Sequence, residues 1–175
     1  MKLGWVLASS LIVASPAVAG PNWSDVGTAV AGGLVATSFA LPALHRDGKG
    51  ALMAGASLGA TYGATELLKA TFPDKRPDGS DERAFPSEHT SISFAAAATL
   101  QNRYGWKVGV PAQIAAAFVG YTRVKAHKHQ PDDVLVGAAI GEFWGFALTR
   151  KESDRVQVMP WGGTHSGGFA MSARF

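Results

Sequence analysis

The chain contains no cysteine, which excludes disulfides and thiolate metal sites. Charge is scarce too. Asp, Glu, Lys and Arg make up 17% of the 175 residues, against 47% hydrophobic. Intrinsic disorder needs the reverse balance and is excluded. No run of Lys and Arg occurs, and a formal net charge of +3 is too mild for a nucleic-acid footprint, so no nucleic-acid partner is expected. The small positive excess suits a local site for an anionic substrate. Long apolar runs are also few. Mean hydropathy is +0.08, low for a chain made mostly of membrane spans. Glu66, Lys69 and Glu142 interrupt the candidate spans. What remains is enough chain for one domain with a real core.

The start has the organisation of a secretory signal. Lys2 supplies the positive end, residues 3–13 the apolar stretch, and Ala17-Val18-Ala19 the small-x-small cleavage pattern. Residues 1–19 are therefore expected to be a signal peptide, the alternative being an uncleaved first membrane helix. Residues 26–44 carry no formal charge and nearly reach the length of a membrane span. The expected location is the periplasm, the alternative being the inner membrane with the site facing the periplasm.

The spacing of apolar residues, prolines and polar breaks predicts an all-α bundle of about five helices over residues 23–44, 49–71, 87–103, 106–125 and 132–150. These form one domain, 20–152. The helices are rich in Ala and Gly rather than Leu and Ile. Gly55, Gly59 and Gly63 recur every four residues, as do Gly137, Gly141 and Gly145, a pattern that lets helix backbones approach closely. The tail, 153–175, alternates Phe169, Met171, Ala173 and Phe175 with Ala170, Ser172 and Arg174, and predicts a small C-terminal β-hairpin about residues 162–166. Residues 74–83 form the most polar stretch, a loop placed to shape the entrance to a site.

Three clusters carry the chemistry. The first is Lys69 followed after six residues by Arg76-Pro77. The second, Pro86-Ser87-Glu88-His89, opens the third helix, with Ser87 as a good N-cap and Glu88 suited to the first turn. Capping does not account for His89. A helix N-terminus binds phosphate through its free N–H groups, and a histidine there is placed to protonate a leaving oxygen. The third cluster is Thr122-Arg123, five residues, His129, three residues, Asp133. Asp133 can reach the His129 ring across the helix start and fix its tautomer, freeing the other nitrogen to attack. Asp132 reads as the N-cap and His127 as a solvated loop residue. Together the clusters supply a nucleophile with its orienter, a general acid and three cations, a set that fits phosphoryl transfer.

This combination resembles the type 2 phosphatidic acid phosphatase superfamily, shared with vanadium haloperoxidases. The family signature reads Lys-x6-Arg-Pro, Pro-Ser-Gly-His and Ser-Arg-x5-His-x3-Asp, and order and spacings match over residues 69–133. The resemblance implies that Lys69, Arg76 and Arg123 hold the phosphoryl oxygens, helped by Ser87 and nearby backbone N–H groups. His129 would form a phosphohistidine, Asp133 would orient it, and His89 would protonate the leaving group. No metal and no cofactor are implied. Two positions depart from the signature: Thr122 stands for Ser, and Glu88 for the Gly that brings the backbone close to phosphate without a Cβ. The expected activity is metal-independent hydrolysis of a phosphorylated lipid, a lipid pyrophosphate or a small phosphomonoester, with membrane association. The alternatives are a vanadate-dependent haloperoxidase, a divalent-metal protein using His127, His129, Asp132 and Asp133, and a catalytically degenerate envelope protein.

Overall fold

The computed structural model describes residues 20, 22–151, 156–162 and 167–173. The expected signal peptide, residues 1–19, lies outside them. Five helices follow in order: α1, Trp23–Leu44; α2, Gly48–Thr71; α3, Glu88–Tyr104; α4, Trp106–Lys125; and α5, Pro131–Leu148. The all-α bundle is as the sequence predicts, with ends displaced by no more than two residues. After it, β1 (Val156–Gly162) pairs antiparallel with β2 (Gly167–Ala173) in the register Val156 to Ala173 through Gly162 to Gly167.

Local chemistry sets the helix ends. Asn22 caps α1 by accepting the Ser24 N–H at 3.1 Å, and Asp47 caps α2 by accepting the Gly50 N–H at 2.9 Å. Gly105, at φ +85, is the single residue between α3 and α4, a turn that favours glycine. At α5 the cap is Gln130 and not Asp132. Pro131 takes the first helical position, and the Asp133 carboxylate reaches back to the Gln130 N–H in a capping box. Asp132 is left exposed in the first turn.

The central helix is the least apolar. α3 packs against all four others, and residues 95–100, mostly alanine, are buried on every side. Small side chains make this possible. On α5, Gly137, Gly141 and Gly145 lie against the α3 backbone, where an added Cβ would stand 2.7, 2.2 and 3.0 Å from the carbonyl oxygens of Ser87, Ser91 and Ala95. The stripe on α2 behaves differently. Gly55, Gly59 and Gly63 are exposed, and a Cβ at Gly59 or Gly63 would meet nothing. The face α2 buries carries Ser57, Thr61, Thr65 and Lys69 instead. Close approach is thus made by one stripe and not by both. Leu34, Ala96, Ala97, Leu100, Ala112 and Ala116 form the apolar centre.

Successive helices run in opposite directions. One end of the bundle therefore collects the starts of α1, α3 and α5 and the ends of α2 and α4. The opposite end is fastened by Arg103, whose guanidinium donates to the buried Asp47 carboxylate at 2.6 and 2.5 Å and to the Arg150 carbonyl at 2.9 Å. That pairing is the first cause holding the Asp47 carboxyl down at about 2.

Candidate active site

All three sequence clusters arrive at that first end. Lys69, in the last turn of α2, is 5% exposed, and its ammonium donates to the carbonyls of Arg83 (2.9 Å) and Pro86 (2.7 Å). Two of its three protons are thereby committed, and one remains for a ligand. Burial, then the nearby Arg76, pulls its pKa below the usual lysine value. Arg76 lies in the loop 74–83, which is closed on itself by hydrogen bonds from Asp74 N to Glu82 O and from Arg76 N to Asp81 O. Asp81 accepts from Arg76 Nε at 2.7 Å and from the Arg83 N–H at 2.9 Å. Asp78 pairs with Lys128 at 2.5 Å, and its N–H donates to the His127 carbonyl. These bonds fasten the Arg76 loop to the segment that carries His129.

Ser87 occupies the N-cap position of α3, but its side chain does not cap. Its Oγ accepts from Thr90 Oγ1 at 2.9 Å, and its N–H is spent on the Asp133 carbonyl at 3.0 Å. Of the sequence-derived phosphate contacts, the Ser87 N–H is thus already used. The Ser87 hydroxyl proton is the donor it retains. Glu88 is half-buried, and its carboxylate acts on Lys69 strongly enough to oppose the fall in the lysine pKa.

His129 is 3% exposed, with Nδ1 3.5 Å from Asp133 Oδ2. The contact falls short of a hydrogen bond, and both Nδ1 and Asp133 Oδ1 are buried without a partner. Burial first, then Arg76 and Lys69, depresses the His129 pKa to about 3. For His89 the order is burial, Arg123, Arg76 and Lys69, and the value falls to about 4. The same three cations, Lys69, Arg76 and Arg123, therefore act on both histidines. Burial pushes the Asp133 carboxyl up.

Some site contacts have no signal in the sequence. Arg123 is 3% exposed and donates through Nη2 to the Ser24 carbonyl of α1, while His89 Nε2 lies 3.2 Å from Thr28 Oγ1 on the same helix. The motifs begin at Lys69. The one available hint of these α1 contacts is the alternating helix direction, which brings the start of α1 to this end. The metal reading loses its ligand set. His127 turns outward at φ 53, Asp132 is exposed, and no three His, Asp or Glu side chains converge among the described residues.

An all-α bundle with three cations and two histidines gathered at one end is the class that these features define. The model of the PAP2 superfamily matches residues 50–157, more than half of the chain, and the chain belongs to that superfamily. It is 35% identical over 82 residues to a lipid A 1-phosphatase of Porphyromonas gingivalis, covering 45% of this chain and 18% of that protein. It is 38% identical over 73 residues to a lipid A 4'-phosphatase of Helicobacter pylori, covering 42% of this chain and 36% of that one. The chain thus spans well under two thirds of either relative. The crystal structure of Aquifex aeolicus LpxE shares the fold at a TM-score of 0.62 and 24% identity, covering 75% of this chain and 87% of that one.

Proposed function

We propose that residues 20–152 form a lipid-phosphate phosphatase working through a phosphohistidine. The observation that carries this reading is the meeting of the three clusters at one end of the bundle, where Lys69 donates to the Pro86 carbonyl, the Ser87 N–H to the Asp133 carbonyl and the Asp78 N–H of the Arg76 loop to the His127 carbonyl. Three cations suit the charge of a phosphoryl group in transit. The same cations and burial keep His129 neutral, which a nucleophile requires. Its Nδ1 faces Asp133, so Nε2 is the attacking atom. The Nε2 lone pair forms a bond to phosphorus, the bond to the leaving oxygen breaks, and His89 gives that oxygen a proton. Water then attacks the phosphohistidine, returns a proton to His89 and releases phosphate, restoring His129. A bound phosphate supplies the negative charge that raises the His89 pKa and lets it hold the proton.

A phosphorylated lipid fits the surroundings. Large apolar side chains lie exposed along α4 (Trp106, Ile114, Phe118, Tyr121) and α5 (Leu135, Phe143). Among the described residues, α1 is the helix long and apolar enough to cross a membrane. The matched relatives are named for phosphate removal from lipid A, so a lipid A phosphate is the substrate to try first. The reading places the chain in the cell envelope, membrane-associated, with the site on the periplasmic side.

The test is phosphate release from p-nitrophenyl phosphate and from lipid A, with and without EDTA, in wild type and His129→Ala. Release that survives EDTA, is blocked by vanadate and disappears in His129→Ala is expected. Activity abolished by EDTA would replace this reading with a metal-dependent one.

A further inference from the structure

His89 Nε2 lies 3.2 Å from Thr28 Oγ1. A threonine hydroxyl has one proton. That of Thr28 goes to the Ser24 carbonyl, 2.9 Å away and one turn back along α1. With its proton committed, Thr28 offers His89 lone pairs alone. The ring must then present Nε2–H to Thr28, which leaves Nδ1 as the position where a second proton is gained and lost.

α1 is seated firmly enough to impose this. Asn22 caps it, and Arg123 donates to its Ser24 carbonyl. Gly27 brings the helix backbone onto α4, where an added Cβ would stand 2.0 Å from Thr122 Oγ1 and 2.7 Å from Arg123 Nη2. A larger residue at that position would lift Thr28 off the imidazole. Asn22, Ser24, Gly27 and Thr28 belong to none of the three motif clusters, and α1 lies outside residues 50–157, which the superfamily model matches.

We propose that Thr28 is a positioning residue, which holds His89 as the Nε2–H tautomer so that Nδ1 delivers the proton to the leaving oxygen. The proposal rests on the general-acid reading of His89 given above.

The two readings separate in one set of assays. Wild type, Thr28→Val, Thr28→Ser and His89→Ala are compared on p-nitrophenyl phosphate and dodecyl phosphate, with melting temperatures recorded for each. A phenolate as acidic as p-nitrophenolate leaves without a proton, whereas an alkoxide needs one, so a fault in proton delivery shows on the alkyl ester. Thr28→Val should lose about tenfold in kcat/KM on dodecyl phosphate, the scale of one hydrogen bond, and less than about threefold on the aryl ester, kcat/KM being the constant that reports leaving-group departure and not the hydrolysis of the phosphohistidine that both esters share. Thr28→Ser, which keeps the hydroxyl, should restore both rates. His89→Ala should show the same selectivity with a larger loss, on the order of 10²–10⁴-fold. Equal losses on the two esters in Thr28→Val, or no recovery in Thr28→Ser at an unchanged melting temperature, would overturn the role of Thr28 while leaving His89 as the acid. Equal losses in His89→Ala would remove the general-acid reading, and the role of Thr28 with it.

Discussion

His129 Nδ1 stands 3.5 Å from Asp133 Oδ2, an oxygen that already accepts the Gln130 N–H at 2.8 Å. One carboxylate thus caps α5 and faces the proposed nucleophile. Such a contact tightens when the reacting group binds. Asp133→Asn retains a cap acceptor but loses the charge that stabilises a phosphorylated imidazole. It should lower kcat by roughly 10²–10⁴-fold while α5 stays formed. His129→Ala should abolish turnover. Rapid quenching with phosphorus-labelled substrate is the check. Acid-labile label on wild type, slower labelling of Asp133→Asn and none on His129→Ala are expected, and label persisting on His129→Ala would identify another nucleophile.

Glu88 sits at the start of α3 where it acts electrostatically on Lys69. A carboxylate there opposes an incoming phosphate, yet it also favours the helix N-terminus. The two effects predict opposite shifts in Glu88→Gly. The inhibition constant for inorganic phosphate should fall by about three- to tenfold, as expected for one like charge removed near a partly exposed site. Stability should fall by about 1 kcal/mol through lost helix propensity and dipole pairing. Glu88→Gln separates charge from bulk and should give most of the affinity gain. Weaker phosphate inhibition in both variants would mean that Glu88 assists binding.

Much of this was legible in the sequence, for identifiable reasons. The bundle followed from turn residues and apolar spacing, and the site from motif spacings that alternating helices bring to one end. Three features were not legible. The cap of α5 fell to Gln130 because Pro131 takes the first helical position and Asp133 completes the box, which displaces Asp132. Two glycine stripes of the same period have opposite exposure, since periodicity marks a face but not its direction. The α1 contacts of Arg123 and His89 run through a backbone carbonyl and a hydroxyl, groups that nearly every helix has.

The histidines make the fold acid-sensitive. Both folded-state pKa values, about 3 for His129 and about 4 for His89, lie below the ordinary 6.5. Between those values the unfolded chain binds more protons than the folded one, so stability falls as pH falls. The histidine contribution to the melting temperature should be level above about pH 6.5 and decline progressively toward pH 4. His129→Ala should flatten part of that decline. An anion should reverse the trend at His89, because a negative charge in the pocket raises its pKa. Sulfate, which carries no proton in this range, should bind with proton uptake at pH 5–6, read by calorimetry in buffers of different ionisation enthalpy. No uptake would mean that His89 does not face the bound anion.

The two glycine stripes give a paired test of the packing that holds the site. At Gly141 an added Cβ would lie 2.2 Å from the Ser91 carbonyl and 2.7 Å from the Ala95 N–H, backbone atoms of α3 that have no side-chain freedom to yield. Gly141→Ala should therefore cost about 1–3 kcal/mol despite the better helix propensity of alanine. At Gly59 the Cβ meets open space, and Gly59→Ala should gain up to about 1 kcal/mol from propensity alone. Gly137→Ala extends the test to activity. Its Cβ would press at 2.7 Å on the carbonyl of Ser87, next to the start of the helix that carries His89. It should lower kcat more than its effect on melting temperature alone would suggest. Thermal unfolding of the three variants decides the matter. A gain at Gly59 with losses at Gly141 and Gly137 fixes α5 as the tightly packed helix, and a comparable loss at Gly59 would show that the exposed stripe of α2 is covered by a partner.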